Sequence, residues 1–236
     1  MNASTHPAGT VIIVGASRGL GLGLVKEYLT RGWAVHATYR NKRGHDALAA
    51  LAGAHPGRLT LTRLDITSEA DDAALLTSLA GTEVDLLFIN AGISGNPALP
   101  FEEAGRAEFL HVMETNTFAP MRLAAALKPV VKPRGTIAVM SSNMGSISGN
   151  QGGEWEIYRA SKAALGQLMK SFAHRHPGDG YTYLLVSPGW VRTDMGGSSA
   201  PLDVETSAAG MADAMARLAG APGIHFIDYQ GRTVAW

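Results

Sequence analysis

Short apolar runs alternate with longer segments of helical periodicity along most of the chain. The apolar runs are rich in β-branched residues and end at Gly, Asn, Asp or Pro, which is typical of buried strands. We predict strands at residues 10–14, 33–39, 58–64, 84–89, 136–140, 181–186 and 224–229. Apolar residues spaced three and four apart predict helices at 19–30, 46–51, 68–79, 104–115, 120–130, 156–174 and 204–218.

This regular alternation predicts one α/β domain. Strand–helix–strand units connect with a right-handed crossover and build a mainly parallel sheet with helices on both faces, which is a doubly wound fold. We expect a flexible N-terminus at residues 1–9 and the domain at 10–236. The irregular stretch 189–203 is rich in Gly, Ser and Pro and is expected to be a substrate loop, with a plain surface loop as the alternative.

Composition narrows the range of functions. The 236 residues suffice for one large core, and the balance of 20 basic against 20 acidic residues argues against a nucleic-acid surface. The sequence has no cysteine, no signal-peptide core and no apolar run of the roughly 18 residues that a membrane helix needs. We therefore expect a cytoplasmic protein without a membrane or nucleic-acid partner, and no metal site, since His174 and His176 form only an isolated His-x-His.

A glycine-rich turn joins the first strand to the first helix. Its sequence, Gly15-Ala16-Ser17-Arg18-Gly19-Leu20-Gly21, has the spacing Gly-x-x-x-Gly-x-Gly. Glycine permits a sharp turn and a close approach of phosphate, and the helix N-terminus offers free N–H groups to a pyrophosphate. We predict a dinucleotide at this turn, contacted by Gly15, Ser17, Arg18, Gly19, Leu20 and Gly21; an ordinary strand–helix turn is the alternative.

The end of the second strand indicates which dinucleotide is bound. An acidic residue there would hold the ribose hydroxyls of NAD(H), but Arg40 follows the strand and Arg18 lies in the glycine turn. Guanidinium groups suit a 2′-phosphate, so we predict NADP(H) in preference to NAD(H). The alternative is that both arginines are solvated surface charges.

Tyr158 and Lys162 are the candidate proton-transfer pair. They are four residues apart near the start of a predicted helix and therefore share one face. The Lys162 ammonium and a positively charged nicotinamide are expected to lower the phenol pKa from its usual value of about 10. Ser142, at the end of a strand, is placed to donate to a substrate oxygen, with Ser146 and Ser148 as rivals.

Taken together in this order, these elements resemble the short-chain dehydrogenase/reductase family from Thr10 to the end of the chain. The segments 158–162, 188–197 and 228–231, together with Trp236, most resemble its C-factor and sniffer-type carbonyl reductase branch. The resemblance implies a Rossmann-type fold. It also implies Ser142 as the second serine of a catalytic pair, and Asn116 as a residue that bends a helix and supports a water chain to Lys162.

The same resemblance implies further cofactor contacts at the strand ends. Asp65 and Ile66 are expected at the adenine edge. Asn90, Ala91 and Gly92 are expected to lie along the cofactor, and Pro188, Gly189, Val191 and Thr193 at the nicotinamide carboxamide. Ile89 departs from the family pattern, which has a second Asn there. Alternatives stay open for Asp65, which could belong to a helix cap, and for Asn116, which could be a buried polar residue satisfied by backbone.

The predicted function is NADP(H)-dependent reduction of a small ketone or aldehyde, with Tyr158 as proton donor or acceptor. The partners implied are a small carbonyl or alcohol substrate and further copies of the chain, as a dimer or tetramer. Trp155, Trp190 and Met195 are candidate walls of the substrate site. The alternative is a dinucleotide-binding regulatory or signalling protein with little turnover.

Overall fold

The computed structural model describes residues 8–236. Its seven strands form one parallel sheet in the order β3-β2-β1-β4-β5-β6-β7, which confirms the doubly wound α/β fold. The strands are β1 (Thr10–Val14), β2 (Ala34–Tyr39), β3 (Leu59–Arg63), β4 (Val84–Ile89), β5 (Val131–Met140), β6 (Thr182–Ser187) and β7 (Gly223–Asp228).

Seven α-helices cover the sheet. They are α1 (Gly19–Thr30), α2 (Lys42–Ala52), α3 (Glu69–Ser78), α4 (Arg106–Met113), α5 (Ala119–Leu127), α6 (Glu156–His174) and α7 (Val204–Leu218). Short 3-10 turns occur at Phe101–Glu103, Lys128–Val130 and Asn143–Gly145. A π-helical turn at Glu114–Phe118 joins α4 to α5.

The sheet separates two apolar cores. Alternate residues of β1 point to opposite faces, so Ile12 belongs to the core under α3, α5 and α6, and Ile13 to the core under α1, α2 and α7. All six residues of β6 are buried, as expected for a central parallel strand. The chain reverses its direction of travel across the sheet between β1 and β4, and such a switch point opens a crevice at the carboxyl ends of the strands.

The element boundaries differ most from the sequence prediction at three places. Helix α2 begins at Lys42 rather than residue 46, because the Asn41 side chain accepts from the Gly44 N–H and caps it. Strand β5 begins at Val131, and the register of its pairing with β4 shifts near that end. The helices predicted at 104–115 and 120–130 are one continuous path through the π turn.

The predicted flexible segment 1–9 lies outside the described residues except for its last two. There the Ala8 N–H donates to the Gly32 carbonyl, and the Gly9 carbonyl accepts from the Ala34 N–H, so both residues are tied to the start of β2. Across residues 8–236, every helix is either too short or too polar to cross a bilayer.

Candidate functional site

The glycine turn forms a backbone cradle at the carboxyl end of β1. Gly15 has φ +77° and Gly19 has φ +51°, in the left-handed region that favours glycine. A Cβ at Gly15 would lie 2.9 Å from the Ala91 backbone. The Gly15 N–H donates to the Thr38 Oγ1 at 3.0 Å, so β2 fixes the orientation of the turn. The residues present therefore fit a phosphate group that must approach the main chain closely.

Gly21 and Asn90 both contact the Gly15 carbonyl and hold this cradle in place. The Asn90 Nδ2 donates to the Gly15 carbonyl at 2.7 Å. A Cβ at Gly21 would lie 2.1 Å from the same carbonyl oxygen and 2.7 Å from that Nδ2. Glycine at position 21 is therefore required for α1 to pack against the turn, and Asn90 ties the end of β4 to it.

Both arginines predicted to hold a 2′-phosphate lie on the surface beside this crevice. Arg40 is exposed after β2, and Arg18 precedes α1. The Arg18 Nη1 lies 2.5 Å from the Asp194 Oδ2, so an exposed ion pair bridges the glycine turn and the loop at 189–203. Exposed pairs of this kind contribute little stability and exchange readily for another anion.

Asp65 has a local structural role as well as a position at the crevice. Its Oδ1 accepts from the Thr67 N–H at 3.1 Å and from the Thr67 hydroxyl at 2.8 Å. Partial burial raises the pKa of this carboxyl, but the hydrogen bonds from Thr67 and the charges of Arg40 and Arg63 outweigh burial and lower it. Asp65 is therefore charged, and its Oδ2 is left to other donors. Its neighbour Ile66 is buried, with its carbonyl accepting from Arg122 Nη2.

Tyr158 and Lys162 lie together on the inner face of α6. The Lys162 Nζ is 5.8 Å from the centre of the Tyr158 ring and donates to the Met140 carbonyl, at the end of β5, at 2.9 Å. Tyr158 is 8% and Lys162 3% exposed. A Cβ at Gly92 would lie 3.5 Å from the Lys162 Nζ, so the end of β4 approaches the same ammonium.

The expected lowering of the Tyr158 pKa is wrong for the chain without cofactor. Burial raises the pKa of the phenol to about 12, and a hydrogen bond with Ser142 only partly opposes this. Burial also lowers the pKa of Lys162 to about 8. In the chain without cofactor, Tyr158 is therefore a protonated phenol at neutral pH.

Ser142 is the serine that lowers the pKa of Tyr158, partly opposing the effect of burial. Its Oγ accepts from the Met144 N–H at 3.1 Å, which leaves the hydroxyl hydrogen for another acceptor. The rival Ser146 accepts from the Gly149 N–H, and the rival Ser148 donates to the Trp236 carbonyl at 2.6 Å. Those two hydroxyls stabilise the segment that follows β5 instead of facing the phenol.

Asn116 lies at the centre of the π turn and is fully buried. Its Oδ1 accepts from the Ile93 N–H, and its Nδ2 donates to the Ile93 carbonyl, both at 2.8 Å. The Nδ2 also donates to the Ser161 Oγ at 3.0 Å, and that hydroxyl donates to the Tyr158 carbonyl at 2.7 Å. A π turn widens a helix locally, and this one brings Asn116 between the end of β4 and the face of α6 that carries Tyr158 and Lys162.

The loop at 189–203 is held in a definite shape over the crevice. Pro188 accepts from the Ser207 hydroxyl, and Gly189 has φ +79°. Val191 is buried and pairs with Leu202. The Thr193 Cγ2 would lie 3.5 Å from a Cβ at Gly19, so this loop contacts the glycine turn.

Sequence reasoning missed three contributors to the site. Thr38 looked like an ordinary strand residue, yet it orients Gly15. The Met140 carbonyl holds Lys162 but carries no side-chain signal. Ser161 links Asn116 to Tyr158 and could have been found, because it lies inside the Tyr158–Lys162 motif. Within residues 8–236 no cluster of three or more potential metal ligands occurs.

Replacing Lys162 by Met tests the burial of its charge. The unfolded chain binds this proton below a pKa of about 10.5 and the folded chain only below about 8, so between pH 8 and 10 folding releases a proton. The wild type should gain stability relative to Lys162→Met by about 2 kcal/mol over that range. Denaturant unfolding of both proteins at pH 8, 9 and 10 measures this difference, and a difference independent of pH would contradict it.

Comparison with known proteins agrees with this geometry. The sequence matches the family described as short chain dehydrogenase over residues 9–202. It is 33% identical to the C-signal of Myxococcus xanthus over 165 residues, which covers 69% of this chain and 99% of that protein.

Solved structures resemble the chain over nearly its full length. A Burkholderia multivorans protein described as a short-chain dehydrogenase/reductase with bound NADP is 44% identical, with a TM-score of 0.95 over 98% of this chain and 100% of that one. The carbonyl reductase Sniffer of D. melanogaster is 32% identical, with a TM-score of 0.87 over the same shares of each chain. The chain therefore belongs to the short-chain dehydrogenase/reductase family of oxidoreductases, with relatives of the predicted C-factor and Sniffer type.

Proposed function

We propose that the chain is an NADP(H)-dependent carbonyl reductase that converts a small ketone or aldehyde to an alcohol. The observation that carries this proposal is the convergence of Ser142, Tyr158 and Lys162 beside the glycine cradle. A protonated phenol, a free hydroxyl and a buried ammonium are the groups that a developing alkoxide needs. A bound nicotinamide supplies or accepts the hydride.

The roles of the three side chains follow from their contacts. The Ser142 hydroxyl donates a hydrogen bond to the substrate oxygen, because its own oxygen is already oriented by the Met144 N–H. Tyr158 gives its proton to that oxygen as negative charge develops there, and takes it back in alcohol oxidation. Lys162 offers its remaining donors to the cofactor ribose and stabilises the phenolate. Asn116 holds the π turn against the end of β4, through Ile93, and supports the proton path to Lys162.

The cofactor lies along the strand ends in this proposal. The cradle at residues 15–21 would hold its pyrophosphate, Asp65 and Ile66 its adenine, and Asn90, Ala91 and Gly92 the middle of the molecule. Pro188, Gly189, Val191 and Thr193 would hold the carboxamide. The small or glycine residues that leave room in the cradle support this path, and so does the relative solved with bound NADP.

Oxidation of NADPH across a panel of ketones and aldehydes tests the proposed function. An enzyme would turn over at least one carbonyl in a manner that depends on Tyr158, whereas a regulatory protein would bind NADPH without such turnover. The complete set of proton-transfer residues supports the enzyme.

Arg40 is proposed to select NADP(H) over NAD(H). Replacing it by Ala should weaken NADPH binding about tenfold to a hundredfold, because charge-assisted hydrogen bonds to the 2′-phosphate are lost, and leave NADH binding within about twofold. Fluorescence titration of both cofactors measures this. Lys26→Ala, an exposed charge on α1, is the control. Equal affinity of the wild type for NADPH and NADH would overturn the phosphate argument.

We propose that the chain assembles as a homo-oligomer through an exposed apolar groove of about 450 Å³ on α4, the π turn and α6. Leu110, Phe118 and Leu168 in this groove are 49%, 55% and 44% exposed. Apolar patches on a soluble protein commonly mark an interface. Light scattering should report a dimer or tetramer, and Leu168→Glu should shift it towards monomer. A monomeric wild type at all concentrations would contradict this assembly.

A further inference from the structure

Trp155 has an unusual backbone conformation directly before the catalytic helix. With φ +63° and ψ +31° it lies in the left-handed region, and within residues 8–236 only Arg134 is another non-glycine residue with positive φ. Such a conformation in a bulky residue is strained and persists only where its surroundings hold it. Two backbone hydrogen bonds stabilise this conformation of Trp155. The Trp155 N–H donates to the Pro97 carbonyl, and the Arg159 N–H donates to the Trp155 carbonyl.

This conformation places the indole against the catalytic phenol. The rings of Trp155 and Tyr158 have their centres 5.5 Å apart and meet edge to face at 73°. Tyr158 is buried, whereas Trp155 remains partly exposed. Because the indole contacts the Tyr158 ring and remains partly exposed, it offers an aromatic surface directly beside the phenol.

The Glu156 and Arg159 side chains both bond to backbone groups near Trp155. The Glu156 Oε2 accepts from the Phe101 N–H at 2.5 Å, and the Arg159 Nε donates to the Glu154 carbonyl at 2.7 Å. The preceding residues, 149–154, are exposed and include Gly149, Gly152 and Gly153, so the indole is the large apolar surface of this segment. The indole therefore forms an aromatic wall beside the phenol.

Trp190 and Met195, the other candidate walls of the substrate site, have no comparable contact with Tyr158 in the described chain. Trp190 is 57% exposed, and its indole N–H donates to the Gly196 carbonyl within its own loop. Met195 is 40% exposed on the same loop. Trp155 alone among the three has a ring contact with the proton donor in the part of the chain that the structure describes.

We propose that Trp155 is a specificity-determining residue that selects flat aryl carbonyl compounds over saturated ones of equal size. An aryl ring gains stacking or edge-to-face contact with the indole, which a saturated ring of the same volume does not. The strained backbone is the cost of holding the indole at this position. This proposal rests on the proposed carbonyl reductase function.

A matched pair of ketones tests the proposal. Acetophenone and cyclohexyl methyl ketone differ only in whether the ring is flat and aromatic. We expect Trp155→Ala to lower the ratio of kcat/KM for the aryl ketone to that for the saturated ketone by about threefold to tenfold. The change should appear mainly in KM for the aryl ketone. Intrinsic reactivity of the two ketones cancels when the ratios of variant and wild type are compared.

Further variants separate selectivity from folding. Trp155→Gly removes the ring and the backbone strain together, so it should melt at a higher temperature than Trp155→Ala and show the same loss of selectivity. Trp155→Phe should retain most of the selectivity. Arg134→Gly relieves the other positive φ in the described chain and should raise stability without changing the ratio.

The outcomes distinguish this proposal from the function on which it rests. Turnover of both ketones with an unchanged ratio in Trp155→Ala and Trp155→Gly would overturn the role of Trp155 and leave the carbonyl reductase function standing. Absence of Tyr158-dependent turnover with every carbonyl tried would overturn the function and this proposal with it.

Discussion

Replacing Tyr158 by Phe should lower kcat/KM for carbonyl reduction by about a hundredfold to ten-thousandfold while NADPH still binds. The variant keeps the aromatic ring against Trp155 but removes the hydroxyl that is proposed to protonate the substrate oxygen. Because the phenol is 8% exposed, water does not readily take its place. Initial rates of NADPH oxidation and a direct cofactor titration measure the two effects separately.

Tyr183 provides a matched control for this substitution. It is a second buried phenol, and burial raises its pKa to about 12 as it does for Tyr158. Its hydroxyl lacks a hydrogen-bond partner among the described residues. Tyr183→Phe should therefore leave turnover unchanged. Equal activity of Tyr158→Phe and wild type would remove Tyr158 from the mechanism.

Replacing Gly21 by Ala should abolish cofactor binding and destabilise the fold. The added methyl would lie 2.1 Å from the Gly15 carbonyl oxygen, and that oxygen is already held by the Asn90 side chain. Neither group is the free end of a flexible side chain, so α1 must move away from the turn. Overpacking of this kind costs about 1–3 kcal/mol, and the displaced turn no longer presents its N–H groups to a phosphate.

Thermal melts and NADPH titration measure the two consequences of Gly21→Ala. Gly53→Ala is the control, because Gly53 has φ −63° and a Cβ there would meet no atom within 4 Å. It should keep wild-type affinity and equal or slightly greater stability. If Gly21→Ala bound NADPH as tightly as Gly53→Ala does, the cradle would not be the phosphate site.

The sequence predicted the site best where the reason for a residue type is local, such as backbone conformation, close packing or helical spacing. Gly15, Gly19 and Gly21 could be identified because only glycine tolerates their positive φ or close approach, and Tyr158 and Lys162 because helical spacing places them on one face. The strands were found because both faces of a parallel sheet are buried and each strand reads as an apolar run.

What the sequence did not reveal depends on distant parts of the chain. The π turn at Glu114–Phe118 has no local signature, because it is fixed by side-chain bonds from Asn116 to Ile93 and Ser161. For the chain without cofactor the sign of the Tyr158 pKa shift was wrong, because it depends on how completely the folded chain excludes water from the phenol. The Arg18–Asp194 pair joins residues 176 positions apart, which no local pattern encodes.

The five residues of the π turn face two different environments at once. On the inside, Asn116 and Thr117 hydrogen-bond to Ser161, one residue before Lys162. On the outside, Glu114, Thr117 and Phe118 line the open apolar groove. Anything bound in that groove would therefore contact the same short segment that hydrogen-bonds to α6 beside Lys162, so a partner there would meet the support of the Tyr158–Lys162 face directly.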